Sequence, residues 1–140
     1  MAYTLTDQFR PLRLVMRLNG VVLGLALGLA LLLLPKANLA AWGLYLGGSL
    51  WPLRATGSLL VAVGLLFVLG ANQDLINLPL LLSMVVGNSL LALVLLLAYF
   101  QQELVGLTRL GQIVFVGIFL LCLIGAVVPL RYFRVEYRPF

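Results

Sequence analysis

The sequence has no histidine, a single cysteine and only four acidic residues among its 140 positions. Each shortage removes a class of chemistry. Metal centres are built from clustered His, Cys and carboxylate ligands, whereas Asp7, Asp74, Glu103 and Glu136 are scattered along the chain. A bis-histidine haem is excluded. Cys122 cannot form an internal disulfide, and inside an apolar run it reads as a small buried hydrophobe. General acid–base work needs His or paired carboxylates within hydrogen-bond reach, and Ser58, Ser83 and Ser89 have no candidate base beside them. The expectation is a protein that is not an enzyme and carries no cofactor of its own, although bound lipid is compatible with its composition.

Charge is scarce as well. Charged residues make up 9% of the chain, against roughly 25% in a soluble domain. Nine basic and four acidic side chains cannot cover a molecule that is 64% hydrophobic, so lipid must cover most of it. The net charge of +5 does not point to nucleic acid, because the basic residues flank apolar runs, where they meet lipid headgroups.

What is present is four long apolar runs, at about residues 14–34, 55–71, 78–100 and 110–130. Each is near the ~20 residues that a helix needs to cross the hydrocarbon layer, and inside lipid a helix satisfies its own backbone. The predicted fold class is therefore all-α, a transmembrane four-helix bundle forming one membrane domain over residues 1–140. The first run exceeds the ~7–15 residues of a signal-peptide core and reads as a retained span. Pro35-Lys36 ends it. The short turn at Asn72-Gln73-Asp74 predicts that the second and third helices are antiparallel neighbours.

The connection over residues 35–53 is longer and holds Trp42, Tyr45 and Trp51, residues that concentrate where lipid meets water. It reads as a short interfacial helix or re-entrant segment, with Trp42, Tyr45 and Leu46 on one helical face. Arg10, Arg13, Arg17, Arg131, Arg134 and Arg138 fall on one side, and Lys36, Arg54 and Arg109 on the other. The excess places both termini in the cytoplasm of a multi-pass plasma (inner) membrane protein. Residues 131–140 form a tail whose alternating pattern suits an extended strand, with its arginines, like Arg10, Arg13 and Arg17, on anionic lipid or a partner.

No run carries an ionisable side chain at its middle, which argues against an ion path. Small residues stand there instead. Gly20, Gly24 and Gly28 form a ridge on the first helix, Gly57 and Gly64 share a face of the second, and Ser83 and Gly87 make a small-xxx-small pair on the third. Such surfaces admit a close backbone, either within the bundle or from another subunit. Asn88 is the strongly polar residue near mid-span and is expected to bond a neighbouring helix backbone, with a ligand contact as the alternative. Asn19 and Gln112 are expected nearer the ends, within reach of water or headgroups.

Arg54-x-x-Gly57, Gly64, the turn from Gly70 to Asp74 and Asn88 together resemble a group of small, largely uncharacterised four-span bacterial membrane proteins. The likeness covers the middle half of the chain and implies a four-helix bundle. In character the chain also resembles accessory subunits of bacterial respiratory or photosynthetic electron-transfer complexes, which implies other membrane subunits as partners. Two functional expectations follow. One is a non-catalytic accessory subunit of a larger membrane complex. The other is a stand-alone binder of a lipophilic molecule (lipid, quinone or carotenoid) between the helices.

Overall fold

A computed structural model describes residues 9–73 and 76–136, without the side chains of residues 133–136. It is an all-α four-helix bundle, with no strand among the described residues. Helix α1 spans Arg10–Leu33, and a short α2 spans Lys36–Ala41. Helix α3 spans Trp51–Ala71, α4 spans Leu78–Phe100 and α5 spans Arg109–Glu136. All four long helices are long and apolar enough to cross a membrane. Proline opens three of them, as Pro11, Pro52 and Pro79 stand in the first turns of α1, α3 and α4. In the first turn the missing N–H costs little and the fixed φ suits the helix.

The outer faces explain the composition. Leu65 and Leu69 on α3, Leu90 and Leu93 on α4, and Ile113 and Leu120 on α5 are all exposed. Apolar side chains covering every outward face leave lipid as the natural solvent, and the protein is a multi-pass membrane protein.

Packing joins the helices in two pairs, α1 with α3 and α4 with α5, with α1 lying more lightly against α5. Helices α3 and α4 scarcely touch, although a short turn connects them. They are antiparallel neighbours as expected, but they face one another across a gap instead of packing. A short loop fixes where two helices begin and end, but the side chains decide which faces close.

For α1 and α3, glycine decides. A Cβ added at Gly64 would lie 2.6 Å from Gly24 Cα, and one added at Gly24 would overlap Gly64 Cα. One turn along, a Cβ at Gly28 would sit 2.8 Å from the Gly57 carbonyl oxygen, and one at Gly57 would sit 2.7 Å from that of Gly28. Gly20 faces the Gly64 carbonyl in the same way. All five glycines are spent on backbone-to-backbone contact inside the molecule. Part of this seam is wound as π-helix, over Asn19–Leu27.

Two apolar clusters fill the interior. Leu12, Val15 and Met16 meet Phe67, Ala71, Leu81 and Met84 toward the Arg10 end. Leu23, Ala92 and Cys122 form the second cluster, toward the opposite end.

The connection between α1 and α3 contains the expected short helix, but its aromatic residues do not share a helical face. Helix α2 stops at Ala41, Gly43 takes a positive φ of 72°, and the Gly43 and Leu44 amides donate back to the Ala40 and Leu39 carbonyls. This C-terminal cap turns the chain before Tyr45 and Leu46. The loop then docks on the start of α5, where Thr108 Oγ1 donates to the Ala41 carbonyl at 2.7 Å and accepts from the Gly111 amide at 3.2 Å.

The tail is also corrected. Helix α5 continues through Glu136, carrying Arg131 and Arg134 with it, and Pro129 lies buried inside the helix. A lone strand would leave its backbone groups unpaired, whereas continuing the helix satisfies them. Arg138 lies outside the described residues.

Candidate functional site

Because α3 and α4 stand apart, a cleft of about 430 Å³ opens between them, with α1 as its floor. Leu59, Leu60, Val63 and Phe67 form one wall, and Leu80, Ser83, Gly87 and Leu91 form the other. Gly87 contributes its missing side chain, since a Cβ there would meet no heavy atom within 4 Å. The Ser83–Gly87 pair thus borders open space rather than a packed helix, unlike the glycines of α1 and α3.

Polar groups in the cleft are few and mostly spent. Ser83 Oγ donates to the Leu80 carbonyl at 2.8 Å, and Thr56 Oγ1 donates to that of Pro52 at 2.9 Å. The described lining has no ionisable side chain. It does have two buried amides, Asn19 at 2% and Asn88 at 5% exposure. Asn88 Nδ2 donates to the Met84 carbonyl at 2.8 Å. That acceptor belongs to its own helix, not to a neighbouring one as the sequence suggested, because a carbonyl four residues back is always within reach of a short amide. Asn19 Nδ2 is buried with no hydrogen-bond partner. A donor left so costs about 1–3 kcal/mol.

The two amides converge on Gly125 of α5. A Cβ there would lie 2.5 Å from Asn19 Nδ2 and 2.9 Å from Asn88 Nδ2, so only glycine leaves them room. Counted from the Arg10 end, Asn19, Asn88 and Gly125 stand nine to eleven residues into their helices. At 1.5 Å per residue this is about 14–17 Å of helix from that end. They form a polar level between the two apolar clusters. Pro129, four residues after Gly125, has no N–H to give the Gly125 carbonyl its usual helical bond.

The expectation that Asn19 reaches water or headgroups is corrected: it is 2% exposed, enclosed against Gly125 of α5. Gly125 was missed altogether; the available signal was a proline four residues downstream within an apolar run.

The other expected sites lie apart from the cleft. Trp42 and Trp51 are exposed at the end opposite Arg10, and Tyr45 donates to the Gly48 carbonyl at 2.5 Å. At the Arg10 end, Arg17 Nη2 donates to Asn72 Oδ1 at 2.8 Å, tying α1 to the end of α3. Phe9 and Tyr132 bring their rings to 5.7 Å, tying the start of α1 to α5. Arg10 and Arg131 are exposed around this junction, and Arg13 is half-buried.

The chain matches no protein-family model, no curated protein and no solved structure.

Proposed function

We propose that this membrane protein holds a lipophilic molecule in the cleft between α3 and α4 without transforming it. The observation that carries the reading is the cleft itself, about 430 Å³ of mainly apolar space with two polar side chains at its floor. Small-molecule sites commonly fall between about 300 and 1,000 Å³, with apolar walls and a few polar groups that fix orientation. The test is extraction of the purified protein with organic solvent and mass spectrometry of the extract. A lipophile at one per chain is expected from the wild type and is lost from Gly87→Phe, which fills the cleft. An extract empty of any stoichiometric compound sinks the proposal.

The second reading is an accessory subunit of a membrane complex, such as a respiratory or photosynthetic assembly. The glycine ridge of α1, its main support in the sequence, is occupied by α3. What favours it in the structure is Gly117 on the outer side of α5, which has open space around it and would admit a neighbouring helix. Fixed-stoichiometry co-purification with other chains in mild detergent supports this reading, and a lone monodisperse species counts against it. In either case the excess of arginine at the Arg10 end supports cytoplasmic termini in a bacterial inner membrane.

A further inference from the structure

We infer that the cleft selects a neutral lipophile bearing a hydrogen-bond-accepting carbonyl, which takes the free amide hydrogens of Asn19. The inference rests on the binding reading above and adds the chemistry of the ligand.

Three observations converge on it. Asn19 lines the cleft, is 2% exposed, and its Nδ2 has no partner. Lipid tails offer nothing to bond it, and the Gly125 carbonyl nearby makes no hydrogen bond with it, which leaves an acceptor in the cleft to supply one. The nearby hydroxyls of Thr56 and Ser83 have given their hydrogens to their own helices, and Asn88 Nδ2 already serves Met84. Asn88 Nδ2 thus has one hydrogen committed, whereas Asn19 Nδ2 has both left for an incoming group. Finally, the described lining has no charged side chain, so an anionic or cationic group bound among those residues would lie uncompensated. A pure hydrocarbon would leave the amide unpaired. A neutral carbonyl on an apolar body satisfies both conditions, whether it belongs to a quinone ring or to an acyl ester.

The experiment measures binding to the full chain in nanodiscs with three labelled probes: 2-decyl-1,4-benzoquinone, methyl dodecanoate and decylbenzene, which has no acceptor. One hydrogen bond in this setting should make the better carbonyl probe bind about five- to tenfold more tightly than decylbenzene. The tighter of the two carbonyl probes identifies the source of the group. Asn19→Leu, close to the same shape, should bring the ratio to about one while leaving decylbenzene within twofold. Asn19→Ala, which only removes atoms, puts the same question should the leucine variant misfold.

Four results overturn the inference, and they separate its failure from that of the binding reading. If the wild type binds all three probes equally, the cleft binds lipophiles but reads no acceptor. If Asn19→Leu keeps the preference, another group reads the carbonyl. If the variant keeps the preference and also melts lower, Asn19 serves the bundle, bonding the Gly125 carbonyl directly or through water. If no probe binds the wild type, or Gly87→Phe binds as well as the wild type, the cleft reading fails and the ligand chemistry falls with it.

Discussion

At the scale of single residues, glycines that look alike in the sequence do opposite work. Gly24 stands against Gly64 Cα, whereas Gly87 faces open cleft. Gly24→Leu should therefore separate α1 from α3. Overpacking a close contact costs about 1–3 kcal/mol, and more where the obstacle is backbone. A large fall in the detergent melting temperature is expected, with aggregation. Gly87→Leu should melt near the wild type while weakening lipophile binding. Equal melting of the two variants would mean that the seam is not built as described. The sequence marks all these positions as small and helix-facing, because spacing along a helix shows which residues share a face. It cannot show what that face meets. Asn19 was illegible for a related reason: its burial depends on which helix faces meet, and spacing does not show that Gly125 of α5 closes over it.

At the scale of elements, the four long helices were legible because lipid leaves a spanning chain no other way to satisfy its backbone. Their ends were less so. The alternating Arg131–Glu136 segment has a strand-like pattern, yet it continues α5, since nothing in an all-helical molecule offers it a pairing edge. The loop after α1 shows the converse: its helix was expected, but Gly43 stops it early. The joint between this loop and α5 rests on Thr108, which bonds the Ala41 carbonyl and caps the first turn through the Gly111 amide. Thr108→Val keeps the shape and removes both bonds. Losing a cap costs about 0.5–2 kcal/mol, so amides from residues 36–44 should exchange several-fold faster in nanodiscs. The effect should stay local, leaving the cleft's affinity for the lipophilic probes within twofold. Faster exchange across α3 as well would mean that the loop holds the bundle together rather than sealing one end.

At the scale of the whole molecule, the number of spans was written in the sequence and their pairing was not. Pairing depends on which small faces find each other, and the cleft exists because α3 chose α1 over α4. Orientation is a separate matter, set by charge. The sequence assigns six cations, Arg10, Arg13, Arg17, Arg131, Arg134 and Arg138, to one side against Lys36, Arg54 and Arg109 on the other. Arg17 bonds Asn72, Arg10 is exposed, and Arg13 is half-buried at the junction. Replacing Arg10 and Arg13 by glutamine brings the balance to four against three, close to parity. Since short flanking segments orient a span by their Lys and Arg content, that variant should insert in both orientations. Gln73→Cys reports the outcome, because Gln73 is exposed beside the Arg10 end whereas Cys122 is buried at membrane depth. In intact cells an impermeant maleimide should leave Gln73→Cys unlabelled in the wild-type background and label a substantial fraction once both arginines are gone. Full labelling in the wild-type background would reverse the proposed orientation. The two helix pairs and the cleft between them would be unaffected, because their geometry follows from shape and not from the side of the membrane the arginines face.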